Sequence, residues 1–296
     1  MTKAKKSQTE SSSLSPFKRK DNGNIEVILT INGTDILKEK DKVLKEFSEK
    51  VNIPGFRKGK APITKVEQVV SEEDLSEHIL EHILPVYFAN AVSEYKFTPA
   101  MYPRFEAIKI TASKNVDASS EWQIKAITCE LPKVKLEGSY KEAVIKTYKD
   151  IEKESKAKED EVREIKESRL INAILKTITI NVPEILITEE VNGRFAQLLQ
   201  RVEKLGLELE GYLKSVGKDI KTLRSEYETE AKNAISLELI LNEIANIEKL
   251  DLEESKVDEF IKSTGSEIAK VSDEQRKMLR RILLRREALE VLYKLL

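Results

Sequence analysis

Proline placement constrains this chain more than any other single feature. All eight prolines lie at or before Pro183, so residues 184–296 contain none. Proline lacks a backbone donor and breaks helix interiors, so the proline-free half is free to be nearly all helix. The first half, where prolines and turns recur, mixes strands, turns and helices. Two prolines, Pro54 and Pro62, bracket the segment Asn52-Ile-Pro-Gly-Phe-Arg-Lys-Gly-Lys-Ala-Pro-Ile63. Gly55 and Gly59 permit φ > 0, so the segment reads as a shaped loop rather than a helix. Its tip carries Phe56, Arg57, Lys58 and Lys60, with no acid from Asn52 to Lys65. An aromatic ring beside three cations suits a surface offering both anions and an apolar pocket, as ribonucleoprotein does. A solvated basic turn is the simpler alternative. A phosphate-cradling P-loop is excluded by spacing: only three residues separate the glycines, and Ala61 follows Lys60 where Ser or Thr is needed.

The string Gly55-Phe56-Arg57-Lys58-Gly59-Lys60-Ala61-Pro62 resembles the ribosome-binding signature of trigger factor, the bacterial chaperone that meets nascent chains at the exit tunnel. The resemblance implies a ribosome-binding role for Gly55, Phe56, Arg57, Lys58, Gly59, Lys60 and Pro62. It extends through Thr98-Pro99-Ala100 to Pro103, similar to the family's turn into two strands, and through Cys129 to Leu136, similar to its exit strand. A full-length family member then enters a peptidyl-prolyl isomerase domain of the FK506-binding type. Here residues 150–169 hold eight acids and six bases, a charged helix or linker that leaves no room for an apolar isomerase pocket. The isomerase domain is therefore expected to be absent and its activity is not carried over.

The expected fold is an α+β N-terminal domain, a small antiparallel sheet with helices on one side, followed by a mostly α-helical C-terminal domain with arm-like helices. Residues 1–22, rich in Lys and Ser, read as a disordered tail. Residues 23–136 are expected to form the ribosome-binding domain, 137–160 a linker, and 155–296 the helical chaperone domain. Within the first domain, Asn24–Ile31 alternates as a strand, and Thr34 is placed to cap a helix carrying Ile36, Val43, Leu44, Phe47 and Val51. Ile63–Val70 reads as a short helix, and Ser71 to Asp74 as a capping box for the next, with a kink or break at Pro85. Phe105–Ala112 and Ser120–Cys129 read as a hairpin. In the second domain Pro183 opens a helix that ends at Gly206. Further helices span about Asp219–Leu250, Leu252–Ile268 and Asp273–Leu296, joined by short connections that favour antiparallel neighbours.

The remaining constellations are weaker. His78-Ile-Leu-Glu-His82 spells the H-x-x-E-H of inverted zinc peptidases, with Glu81 as base. An amphipathic helix bearing two exposed histidines is the simpler reading. Cys129 stands alone, which excludes an internal disulfide, suits a reducing cytosol, and favours a small core residue over a nucleophile. The run Arg280 to Arg286 reads as a helix with solvated arginines rather than an RNA contact. Charged residues make up 35% of the 296-residue chain, yet the formal net charge is −1, so attraction to nucleic acid must come from a local patch. The lysine-bearing N-terminus lacks the apolar core of a secretory signal, and no apolar run reaches membrane-spanning length.

Taken with the resemblance, the expected function is an ATP-independent, ribosome-associated chaperone that shelters nascent polypeptides. It would be cytoplasmic, need no cofactor, touch no membrane, and pair with the large ribosomal subunit, both exit-tunnel protein and rRNA; a weak homodimer is a further option. The alternatives are a prolyl isomerase and a ribosome-free holdase or assembly factor.

Overall fold

A computed structural model describes residues 15–154, 163–265 and 268–296. The chain divides into two compact units, Met1–Leu131 and Pro132–Leu296.

The first unit is built on strands β1 (Phe17–Arg19), β2 (Asn24–Asn32), β3 (Arg104–Lys109) and β4 (Glu121–Cys129), an antiparallel sheet in the order β1-β2-β4-β3. Register decides which face is apolar. Pairing Ile25 with Thr128, Val27 with Ala126, Leu29 with Ile124 and Ile31 with Trp122 puts every core residue of β2 opposite a core residue of β4. All eight are buried. A slip of one residue would turn the β2 set out to water. Helices α1 (Gly33–Lys50), α2 (Ile63–Val69) and α3 (Glu72–Tyr95) supply the other half of this core. α1 contributes Ile36, Val43 and Leu44; α3 contributes Leu75, Ile79, Ile83, Leu84, Phe88 and Ala91.

Four expectations change here. Residues 17–19, assigned to the tail, are an edge strand, because Phe17 stacks on Tyr95 at 4.7 Å and Lys18 pairs with Glu26 in register; the tail residues 1–14 lie outside the described residues. The cap of α1 is Asn32, whose side chain accepts from the Asp35 amide, and Thr34 instead donates its hydroxyl to Asn32 at 2.6 Å. Ser71 caps α3 by accepting from the Asp74 amide, while its hydroxyl donates to the Asp74 carboxylate at 2.5 Å, so the reciprocal half of the expected box is missing. α3 runs unbroken past Pro85, since Leu84 and Phe88 on either side are held in the same core.

The second unit is helical: α4 (Tyr140–Glu154), α5 (Arg163–Thr177), α6 (Glu184–Lys204), α7 (Leu209–Ser215), α8 (Ile220–Ile247), α9 (Glu254–Ser263) and α10 (Asp273–Tyr293). The stretch expected as a linker is α4 in its described part. Tyr140, Val144 and Tyr148 recur at helical spacing and are buried against Leu170 and Ile174 of α5, Ile240 and Ile244 of α8, and Leu292 of α10; the charged residues 155–162 lie outside the described residues. The exit strand stops at Cys129, and Glu130–Ser139 contain no strand. Pro183 is the N-cap of α6, and Gly206 follows its end at φ 67°, both as expected. Arg194 of α6 pairs with Glu230 of α8 while Val202 clusters with Leu223, so these two helices run antiparallel.

Candidate functional site

The basic loop is the connection between α1 and α2, and it is a pair of tight turns. Phe56 N–H donates to the Ile53 carbonyl at 3.1 Å, with Pro54 and Gly55 as the central residues and Gly55 at φ 85°. Lys60 N–H donates to the Arg57 carbonyl at 2.9 Å, with Lys58 and Gly59 central and Gly59 at φ 75°. Positive φ at the third position is the type II signature, which only glycine adopts without strain. Gly59 N–H also donates to the Ser48 carbonyl at 2.8 Å, tying the second turn to the last turn of α1.

The shoulders of the loop are packed and its tip is not. Ile53 and Val66 are buried, and Val51, Ala61 and Ile63 pack against the same core. Lys40 of α1 reaches through this base: its Nζ lies 2.6 Å from Glu67 Oε1 of α2 and donates to the Ser113 carbonyl at 2.9 Å. Lys114 Nζ holds the Val70 carbonyl, where α2 ends, at 2.7 Å. Between these supports residues 54–60 are exposed, and Phe56 presents 41% of its surface. Among the described residues no acid pairs with Arg57, Lys58 or Lys60. Seven residues chosen from sequence therefore sit together on one braced projection: Gly55, Phe56, Arg57, Lys58, Gly59, Lys60 and Pro62. The supports Lys40, Glu67 and Lys114 were not foreseen; a lysine inside the α1 stripe was the available signal.

The other sequence candidates are engaged in the fold. His82 Nδ1 lies 3.0 Å from Glu39 Oε1, and His78 Nδ1 contacts the Asp74 carbonyl at 2.9 Å while its ring packs on Phe47. Both are half-buried rather than exposed as expected, because α1 lies alongside. The Cys129 thiol is buried, and burial pushes its pKa up to about 11, leaving it a poor nucleophile. The arginines of α10 are not simply solvated. Arg280 meets Asp251 at 2.5 Å and Glu254 at 2.7 Å, Arg276 meets Asp258 at 2.7 Å, and Arg285 pairs with Glu238.

Comparison with known proteins agrees with this architecture. The family model described as bacterial trigger factor protein (TF) matches residues 16–168, and that described as bacterial trigger factor protein (TF) C-terminus matches 146–294. The chain belongs to the trigger factor family. It is 28% identical over 161 residues to trigger factor of Clostridium kluyveri, covering 52% of this chain and 36% of that one. It is 30% identical over 188 residues to trigger factor 1 of Desulfitobacterium hafniense, covering 64% of this chain and 41% of that one. The chain thus spans well under half the length of these relatives. A solved structure, described as promiscuous substrate recognition in folding and assembly activities of the trigger factor chaperone, superposes with a TM-score of 0.58 at 11% identity, covering 95% of this chain and 99% of that one. At that identity the likeness speaks for the fold.

Proposed function

We propose that the chain is an ATP-independent chaperone that docks on the large ribosomal subunit through the 55–62 loop and shelters nascent polypeptides in the cytoplasm. One observation carries this reading: an exposed aromatic and three cations, with no acidic partner among the described residues, stand on a projection that its own packing holds out from the core. Phe56 offers a ring to a protein pocket, and Arg57, Lys58 and Lys60 offer charge to rRNA phosphates. Family membership supports the chaperone role. Binding many unfolded sequences requires exposed apolar groups scattered among charges, and Leu199, Leu205, Leu207, Val216 and Ile220 of the helical unit are exposed in that way.

The reading treats the isomerase domain as absent. The two family-model matches overlap at residues 146–168, and the described parts of that stretch, 146–154 and 163–168, are helix in α4 and α5. No cofactor is needed. With two or three phosphates contacted, the logarithm of affinity for purified large subunits should fall with the logarithm of salt at a slope of roughly −2 to −3. An affinity that salt leaves unchanged would remove the ionic half of the proposal.

A further inference from the structure

Beneath the basic loop, α1 holds a lysine where its pattern asks for an apolar residue. Ile36, Lys40, Leu44 and Ser48 follow one another at intervals of four on the core face of α1, and Lys40 is only 7% exposed. An ammonium taken out of water is tolerated where opposite charge and hydrogen-bond acceptors meet it. Lys40 has both: the Glu67 carboxylate of α2 at 2.6 Å, and the carbonyl of Ser113, from the connection between β3 and β4, at 2.9 Å. The pair joins α1 to α2 with the whole 51–62 loop between them, so α2 folds back on α1 and the loop is the tip of the hairpin. The same connection grips α2 a second time, where Lys114 Nζ donates to the Val70 carbonyl at 2.7 Å. α2 needs such help. It spans only Ile63–Val69 and starts at Pro62 with no side-chain cap, too short to hold its own direction.

We infer that Lys40, Glu67 and Lys114 are positioning residues for docking: they fix α2 against α1 and thereby set the conformation of the loop tip, without touching the partner themselves. This role rests on the reading that the 55–62 loop docks on the large ribosomal subunit, and it extends that function to residues outside the loop. A buried ion pair is a poor source of net stability, because apolar side chains of similar volume often pack as well or better. What it supplies instead is direction. Carboxylate meets ammonium at one rotation of α2 about its axis and one shift along α1, whereas Val66 packed on an apolar core is less exacting. The loop passes this geometry on. Gly59 N–H is tied to the Ser48 carbonyl of α1, while Pro62 and Ile63 lead into α2, so any slip of α2 falls on the turn Arg57–Lys60, which carries all three cations. A tip ordered before contact loses less freedom on binding, so loosening its base lowers affinity without removing a contact.

The test uses the full chain, its affinity for purified large ribosomal subunits, and amide exchange of the free chain. Glu67→Gln makes the chain one charge more positive beside a loop read as a phosphate binder. Charge alone would therefore tighten binding, whereas positioning predicts affinity weaker by about threefold or more. The double variant Lys40→Met with Glu67→Gln removes the ammonium instead of stranding it, so its denaturant midpoint should match or exceed that of wild type. Its affinity should nevertheless fall by about three- to tenfold, and the Gly59 and Lys60 amides should exchange about tenfold faster. The salt slope should stay as in wild type, because Arg57, Lys58 and Lys60 keep their contacts. Lys114→Met should act in the same direction. Lys42→Met, which removes an exposed cation from the same helix, should change neither affinity nor loop exchange. Tighter binding by Glu67→Gln, or wild-type exchange and affinity in the double variant, would overturn the positioning role. So would a loop that opens with affinity unchanged. Alanines at Phe56, Arg57 and Lys58 separate the two failures: if they weaken binding while the base variants do not, only the positioning role falls; if they leave affinity unchanged, the docking reading falls and the positioning role with it.

Discussion

Gly33 shows how one missing side chain sets the first unit. It opens α1, and an added Cβ would fall 2.0 Å from the Asp117 carbonyl oxygen and 2.9 Å from that of Ser120. Both neighbours are backbone in the turn leading into β4, so neither can rotate aside. Gly33→Ala should destabilise the unit by about 3 kcal/mol or more, seen as a lower denaturant midpoint, while unaltered stability would mean the turn moves freely. Gly55 and Gly59 are a different case: open space surrounds Gly55, and what demands glycine is its φ of 85°. The loop glycines were legible from sequence because turns of this kind announce themselves by Pro-Gly spacing. The constraint on Gly33 was not legible, because it comes from residues more than eighty positions away.

At the level of elements, a carboxylate fastens α3 to the β3–β4 connection. Glu72, in the first turn of α3, accepts from the Ser113 amide and, at 2.6 Å, from the Ser113 hydroxyl, with the Lys114 amide at 3.3 Å. Burial pushes its pKa up, but these hydrogen bonds outweigh burial and hold it below the ordinary 4.5. The folded carboxyl is more acidic than the unfolded one. Its stabilising contribution is therefore complete above pH 4.5 and is lost as the pH falls through the folded value. Glu72→Gln should be less stable than wild type at pH 7 and should lose part of the acid-side slope of stability against pH. Equal slopes would show that Glu72 is not held as described. Asp35, held low by its hydrogen bonds from Tyr87 and Asn32, adds to that acid sensitivity in both proteins.

Elements with strong periodicity were legible: β2, α1, α6 and α8 lie close to where alternation and helical stripes put them. Short or charged elements were not. β1 spans only Phe17–Arg19 and exists because Tyr95 offers a ring to Phe17. The described part of the expected linker is helix because a tyrosine, a valine and a second tyrosine meet partners from three other helices, information that no local window contains.

For the whole molecule, each compact unit has its own main hydrophobic core, with smaller clusters around Val202 and Ile261 in the second, and the charge pattern differs between surfaces rather than between halves. The N-terminal unit carries both the cationic loop and, on α3, an exposed acidic stripe of Glu73, Glu77 and Glu81, so a net charge of −1 conceals two local fields of opposite sign. If the isomerase domain is absent as proposed, the chain should not accelerate a proline-limited refolding reaction. Acceleration at ordinary enzyme levels would place a catalytic site in this chain that the proposal omits.

The central claim is that the braced tip is the address for the ribosome. The most direct measurement is co-sedimentation of the full chain with large ribosomal subunits, comparing wild type with a folded variant carrying alanine at Phe56, Arg57 and Lys58. Charge-assisted contacts contribute about 1.5–3 kcal/mol each, so affinity should drop on the order of 100-fold and the variant should stay in the supernatant. A variant that pellets with the subunits as fully as wild type would contradict the account.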